Sequence, residues 1–99
     1  MSKAKGRIED TDVFELAPKL AFNIDDDGLT VFDARGGMYW RGNGTAGDVL
    51  KGVGERLPVG SIITGIHTAY DVDASLVRGD VHVLLADLQN NGIVRKVRP

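Results

Sequence analysis

Residues 28–41 read GLTVFDARGGMYWR, and this stretch decides the fold of the first half of the chain. Residues 29–33 are rich in β-branched and aromatic side chains, which favours a strand. The turn that follows, residues 34–37 (ARGG), is so short that it can join only antiparallel neighbours. Residues 38–41 (MYWR) therefore predict a strand that returns alongside residues 29–33.

A further strand is predicted immediately before this hairpin. Leu20, Phe22 and Ile24 alternate with small or polar residues, which is typical of a half-buried strand, and residues 25–28 (DDDG) form a turn. The first half is thus a three-stranded antiparallel meander with residues 38–41 at one edge. Such an edge has unpaired backbone N–H and C=O groups that can accept an added strand. Adjacent residues Tyr39 and Trp40 point to opposite faces of the sheet.

The apolar period changes from that of a strand to that of a helix after Asn43. This residue can cap a first helix, Ser61 is predicted to cap a second, and Asp73 a third that ends at residues 91–92 (NG). Three strands followed by three helices predict an α+β domain. The apolar stripes of the three helices are Ala46, Val49, Leu50, Val53 and Leu57; Ile62, Ile63, Ile66 and Tyr70; and Val77, Val81, Leu84, Leu85 and Leu88.

The length and composition are those of one small globular domain. The chain has 99 residues, of which 42% are hydrophobic and 26% charged. We predict a mobile arm over residues 1–12, the domain over residues 13–95 and a basic tail over residues 96–99. No apolar run approaches the roughly 20 residues that cross a bilayer, and no apolar stretch follows the first cations, so we expect a cytoplasmic protein without a membrane span.

Charge and cysteine content exclude several classes of function. All 14 acidic residues but only 6 of the 12 basic ones lie within residues 8–94, which gives this stretch a formal charge of −8. Proteins that bind nucleic acid normally have the opposite sign, because they neutralise phosphates. The chain has no cysteine, which excludes disulfides, thiolate metal sites and cysteine nucleophiles.

Three patterns that suggest chemistry have simpler interpretations. Residues 42–47 (GNGTAG) match a dinucleotide-binding fingerprint, but Pro58 and a second helix follow where that unit needs a parallel strand. The acids of residues 25–28 lack the alternate spacing of a calcium loop. His67 and His82 lie on different helices without a placed nucleophile or ligand pattern. We predict no catalytic residue, no metal site and no cofactor, and therefore a protein that is not an enzyme.

The order of these pieces resembles the PqqD-like peptide chaperones, which are the recognition domains of ribosomally made, modified peptides. The resemblance spans residues 13–95. The spacing of Asp33, Gly37, Tyr39 and Trp40 is most similar to that of the stand-alone leader-binding subunits of lasso-peptide systems. Gly42 replaces the leucine that is usual in the family, which implies a missing core side chain and a differently shaped pocket. The residues that carry the likeness are 28–33 (GLTVFD), 37–40 (GMYW), 43 (N), 70–73 (YDVD), 80–81 (DV), 88 (L) and 92–94 (GIV).

The resemblance implies a winged helix-turn-helix fold with an N-terminal three-stranded sheet. It implies binding: the leader peptide of a precursor adds as an antiparallel strand to the third strand and lies against the third helix. Asp80 and Asp87 can attract a basic leader side chain, and Arg78 an acidic one. The implied contact residues are Met38, Tyr39, Trp40 and Arg41 on the strand and Val77, Asp80, Val81, Leu84, Leu85 and Leu88 on the helix, the apolar ones shared between core and cleft.

The expected partners are the precursor leader peptide, a leader peptidase of the cysteine protease class and a lasso cyclase. Two alternatives stay open. One is a winged-helix transcription factor, which the lack of basic residues on the last helix disfavours. The other is a peptide chaperone of a pyrroloquinoline quinone or radical-enzyme pathway, which differs in its partner and not in its mechanism.

Overall fold

The computed structural model describes residues 8–26, 28–33 and 37–97. The predicted α+β class is confirmed, with helices and antiparallel strands combined in one domain. In chain order the elements are β1 (Phe14–Leu16), β2 (Leu20–Asp25), β3 (Gly28–Asp33), β4 (Met38–Gly42), α1 (Gly44–Gly54), α2 (Val59–Tyr70), α3 (Ala74–Asn90) and β5 (Val94–Lys96).

The predicted meander is present as the sheet β2–β3–β4. Both strand pairs are antiparallel, and β3 lies in the centre with β4 at one edge. Val31 of β3 is paired with Trp40 of β4, and Phe32 with Tyr39. Gly28 begins β3 at a φ of 135°, and a Cβ there would lie 2.2 Å from the carbonyl oxygen of Gly42, so only glycine fits this corner.

A second sheet, which the sequence analysis does not predict, joins the two ends of the domain. Strands β1 and β5 pair antiparallel, with Phe14 opposite Lys96, and the Val97 N–H donates to the Val13 carbonyl at 2.8 Å. The expected order of three strands followed by three helices is therefore incomplete. Residues 96 and 97, assigned from the sequence to a basic tail, belong to this pairing, and residues 98–99 lie outside the described residues.

The described end of the predicted arm, residues 8–12, is in contact with the domain. Ile8 is only 8% exposed and belongs to the core. The carbonyl oxygens of Asp10 and Asp12 accept hydrogen bonds from the first N–H groups of α2, those of Gly60 (2.8 Å) and Val59 (2.9 Å). These backbone contacts satisfy helix donors that would otherwise be unpaired. Residues 1–7 lie outside the described residues.

Two of the three predicted helix caps are confirmed. The Asn43 side chain accepts from the Ala46 N–H at 3.2 Å, and the Asp73 side chain accepts from the N–H groups of Ser75 and Leu76. The prediction for α2 is wrong: this helix begins at Val59, two residues before Ser61, and no side chain caps it. The segment of residues 8–12 supplies its acceptors instead.

The helices and both sheets enclose one apolar core. Strand β3 supplies Leu29 and Val31, and α3 supplies a row of side chains that are 4% exposed or less. No helix in the described part of the chain is both long and apolar enough to cross a membrane. The largest fully buried side chains are Phe14, Leu29, Leu85, Leu88, Val31, Val49, Val53, Val59 and Val81.

Gly52→Ala is expected to destabilise the fold at the contact between α1 and α2. A Cβ on Gly52 would lie 2.6 Å from Cγ1 of the buried Ile62, so that side chain must shift. We expect a net loss of about 1 kcal/mol in the free energy of unfolding, because overpacking costs about 1–3 kcal/mol and the gain in helix propensity is about 1 kcal/mol. Urea unfolding measures the change.

Gly79→Ala is the matched control, because no atom lies within 4 Å of the corresponding Cβ in the middle of α3. It should stabilise the protein by about 0.5–1 kcal/mol. If Gly52→Ala and Gly79→Ala changed the free energy of unfolding by the same amount, the close approach of Gly52 to Ile62 would be contradicted.

The Asp73 cap should contribute to stability in a pH-dependent way. Hydrogen bonds from the Ser75 hydroxyl and the Leu76 N–H hold the pKa of Asp73 below its ordinary value. A carboxyl whose pKa is lower in the folded state stabilises the fold above about pH 4, and this stabilisation is lost as the pH falls further. Asp73→Ala should therefore lower stability at neutral pH and make unfolding less steeply dependent on pH below about pH 4. Asp73→Asn can still cap the helix but cannot titrate. It should therefore reduce the pH dependence of the free energy of unfolding below about pH 4 and change little at neutral pH.

Candidate functional site

Strand β4 has an open edge. Among the described strands it pairs with β3 alone. Backbone N–H and C=O groups of successive residues in an antiparallel strand point alternately to the two sides. Either Met38, Trp40 and Gly42 or Tyr39 and Arg41 therefore direct these groups to the open side. The structure describes Met38 by its backbone only.

The two aromatic side chains of β4 lie on opposite faces, as the sequence predicts. Tyr39 is 71% exposed on the outer face, and its ring centroid lies 5.1 Å from that of Phe32 on β3. Arg41, two residues further, is also exposed and on the same face. Trp40 points the other way and packs against the core. Trp40 is thus the aromatic residue of β4 that faces α3.

The Trp40 side chain joins β4 to α3. Its indole N–H donates to Oδ2 of Asp87 at 2.8 Å, and Oδ1 of the same carboxylate accepts from Nδ2 of Asn91 at 3.3 Å. The indole also lies over Gly42, where a Cβ would be 2.5 Å from Cη2 of the ring. The space in which the resemblance implies a leucine side chain is therefore filled by Trp40.

A groove of 510 Å³ lies between the start of α1 and the exposed face of α3. Tyr39 and Trp40 near the start of β4 line a small neighbouring pocket with Asn91 at the end of α3. Asn43, just after β4, lines the groove with residues 80–87 of α3. We call this depression the α3 groove; its lining residues are Asn43, Thr45, Asp80, Val83, Leu84 and Asp87.

The structure divides the helix residues that the resemblance implies as contacts. Asp80 and Leu84 line the α3 groove. The other four are 0–4% exposed and are fully used by the core, so a ligand cannot reach them without opening it. These core residues are Val77, Val81, Leu85 and Leu88.

Four groove residues are missing from the implied contacts, although Asp87 was expected from the sequence to attract a basic side chain; they are Asn43, Thr45, Val83 and Asp87. Val83 is 73% exposed on α3. The signal in the sequence is that Val83 lies outside the apolar stripe that fills the core, so it is an apolar residue on the solvent side of the helix.

The α3 groove is acidic. Asp80 and Asp87 are its charged lining residues. Arg78, considered from the sequence as a contact for an acidic side chain, instead pairs with Asp10 of the N-terminal segment at 2.7 Å. This pairing raises the pKa of Arg78 and lowers that of Asp10. The groove is therefore complementary to a basic ligand and not to an acidic one.

A second cleft, between α1 and α2, has a volume of 230 Å³. The Tyr70 hydroxyl donates to Oδ2 of Asp48 across it at 2.5 Å, which raises the pKa of Tyr70. Its lining residues come from the two helices and the loop between them, so it adjoins no open strand edge. The α3 groove, beside the end of β4, is the better candidate site.

The fold also bears on the other patterns in the sequence. Helix α1 leads into α2 and every described strand pair is antiparallel, so residues 42–47 are not part of a dinucleotide-binding unit. His67 on α2 lies 2.5 Å from the Val72 carbonyl through its Nδ1, and His82 lies on α3. Within residues 8–26, 28–33 and 37–97 no three His, Asp or Glu side chains are grouped to hold a metal ion.

The hydrogen bond between Trp40 and Asp87 should be measurable as a coupling between the two residues. Trp40→Phe removes the donor and Asp87→Ala the acceptor. A double-mutant cycle in urea unfolding should give a coupling free energy of about 0.5–1.5 kcal/mol. The cycle of Trp40→Phe with Asp80→Ala is the control, because no hydrogen bond joins this pair, and it should be additive. Additivity in both cycles would show that the contact does not contribute to stability.

Comparisons with known proteins identify the family of this chain. Three solved structures share the fold: "Lasso peptide synthetase B1 complexed with the leader peptide" (24% identity, 83% of this chain and 96% of that chain, TM-score 0.73), "TbiB1 in Complex with the TbiA(beta) Leader Peptide" (18%, 86% and 99%, 0.75), and the stand-alone recognition element of Methylobacterium extorquens PqqCD, a PqqD truncation (21%, 91% and 96%, 0.76). No curated protein matches the chain. The sequence model of the family "Coenzyme PQQ synthesis protein D (PqqD)" matches residues 28–94, well over half of the chain. The resemblance inferred from the sequence is confirmed, and the chain belongs to the PqqD family.

Proposed function

We propose that this chain binds the leader peptide of a ribosomally made precursor, a lasso peptide, without itself catalysing a reaction. The observation that carries the proposal is that β4 has an open edge among the described strands and leads at Asn43 directly into the α3 groove. The leader adds to β4 as an antiparallel strand, and its side chains on one face enter the groove. Backbone pairing provides affinity for an extended chain, and the groove provides selectivity.

The side chains around this edge support such a ligand. Trp40 forms an apolar surface on the inner face of β4 beside α3, and Val83 and Leu84 extend it along the helix. Two of the solved structures that share this fold are named as complexes with leader peptides. The peptide contacts we propose are Met38, Tyr39, Trp40 and Arg41 on β4 with Asp80, Val83, Leu84 and Asp87 on α3.

The bound leader is presented, in this proposal, to a separate leader peptidase of the cysteine protease class and then to a lasso cyclase in the cytoplasm. A strand added to β4 has an outer edge of its own that stays accessible to such an enzyme. A related pathway, for pyrroloquinoline quinone or a radical enzyme, would use the same binding mode with another partner.

We interpret α2, the turn of residues 71–73 and α3 as the helix-turn-helix of a winged fold. DNA binding is the less favoured function for this fold, because Asp80 and Asp87 lie on the exposed face of α3 where a recognition helix presents basic residues.

A pair of proline substitutions tests strand addition. Of two adjacent residues in β4, one directs its N–H to β3 and the other to the open edge. Proline lacks this N–H, so one of Tyr39→Pro and Trp40→Pro should disrupt the sheet and the other should keep the fold. The folded proline variant, identified by its unchanged circular dichroism spectrum and urea midpoint, should bind the leader about tenfold more weakly than the alanine variant at the same position, because both lack the aromatic side chain but only proline has lost the edge donor.

The ligands for this test are synthetic peptides with the leader sequences of short precursors sought in the neighbouring reading frames, and calorimetry measures their binding. Wild-type protein should bind one of them with micromolar or tighter affinity. Unchanged binding by the folded proline variant would reject β4 as the docking edge, and the absence of binding by the wild type would reject the proposed function. A gel shift with duplex DNA that weakens steeply with salt would favour the transcription factor instead.

A further inference from the structure

We infer that the ligand of β4 is a peptide with two differently charged faces. The peptide side chains that face α3 include an apolar residue between two basic ones. Along the peptide sequence the order is basic, any, apolar, any, basic. On the opposite face, the side chain beside Arg41 is acidic. This inference rests on the proposed function, because it specifies which extended peptides the same site accepts.

The exposed face of α3 has a regular pattern of apolar and acidic side chains. Leu76, Asp80, Val83 and Asp87 occur at i, i+4, i+7 and i+11, so they form a single stripe along the helix. Leu76 is 63% exposed, and Val83 is more exposed still. The stripe alternates apolar and acidic side chains. A ligand that covers it must offer an apolar surface and compensate two carboxylates.

The peptide runs along α3 in this inference. Its direction follows from two placements: the start of β4 lies beside Asn91, and Asn43 after the end of β4 lines the groove with the earlier residues 80–87 of α3. Asp80 and Asp87 are separated by about 10 Å along the helix axis, at about 1.5 Å per residue. Side chains on one face of a strand are about 6.8 Å apart, so three consecutive ones span about 13.5 Å. The flexible stems of lysine or arginine bridge the difference of a few ångströms.

The outer face of β4 is basic at Arg41. Arg41 is exposed there, two residues after Tyr39, with its side chain on the face away from α3. The residues of an added strand that share this face lie opposite Tyr39 and Arg41. Cross-strand pairs of opposite charge and of aromatic residues stabilise antiparallel strands. The preferred charge therefore alternates in sign between the two faces of the peptide.

Charge-swap variants test both faces at once. A phage library of random peptides of about 12 residues, long enough to exceed the five-residue strand β4 on both sides, is selected on wild-type protein, Asp80→Lys and Arg41→Glu. Wild-type protein should enrich basic residues at alternate positions of the peptide, those whose side chains face α3, and acidic residues at the positions between them. Asp80→Lys should weaken the preference for basic residues only at the positions that face α3. Arg41→Glu should reverse the preference for acidic residues only at the positions on the opposite face. Glu55→Lys, which makes the same charge change at the end of α1 outside the groove, should leave both preferences unchanged.

The affinities of synthetic enriched peptides complete the test. Fluorescence anisotropy should show that Asp80→Lys weakens binding about fivefold, since an attraction becomes a repulsion at an exposed site, and that added salt reduces this difference. One outcome is that the enriched peptides depend on the β4 edge, as shown by weaker binding to the folded proline variant, and yet have no alternating charge preference. That result would overturn the inference and leave the proposed function standing. If the wild type enriches no peptides, or only peptides that ignore the β4 edge, both are rejected.

Discussion

A strand at the edge of a sheet has backbone donors and acceptors that its own sheet cannot satisfy, and β4 is such a strand. Most proteins protect such an edge by shortening, charging or covering it. Here the residue after the strand, Asn43, lines a groove with apolar and acidic walls, and the indole of Trp40 holds the inner face of the strand to α3 through Asp87. The hydrogen bond on the inner face fixes the strand and leaves the edge free. The proposed binding mode needs both properties, an inner face that is held in place and an edge that can pair with a ligand.

Helix α3 connects the core to the site because its two sides have different roles. Four apolar residues, Val77, Val81, Leu85 and Leu88, are buried and determine how the helix sits in the domain. The opposite side is exposed. Near its C-terminal end lies the carboxylate of Asp87, which accepts the hydrogen bond from the Trp40 indole. The Asp73 cap and the residues around Asn91 fix the two ends. The groove is thus a consequence of core packing and needs no dedicated loop.

The sequence was informative where structure depends on near neighbours. The alternation of residues 20–24, the β-branched and aromatic run of residues 29–33 and the caps at Asn43 and Asp73 involve residues close in the chain. The strands and caps that they predict are confirmed, although Phe22 and Ile24 are 44% and 46% exposed and not buried. Pairing of β1 with β5 was missed because each strand has three residues, too few for a pattern, and the partners lie at opposite ends of the domain. The start of α2 was misplaced because its acceptors are carbonyl groups of residues 10 and 12, which no side-chain pattern reveals. Periodicity predicts the apolar stripe of α3, but only the packed neighbours decide that Val77 and Leu85 belong to the core while Leu84 lines the groove.

The pairing of β1 with β5 has a consequence for protein architecture. Because Phe14 lies opposite Lys96, the first and last described strands pair with each other and are not part of the β2–β3–β4 sheet. A fusion joined through either of them would leave the strand order of that sheet unchanged. Such a module is suited to gene fusion, to insertion within a larger enzyme and to circular permutation, all without rearranging the surface that reads its ligand.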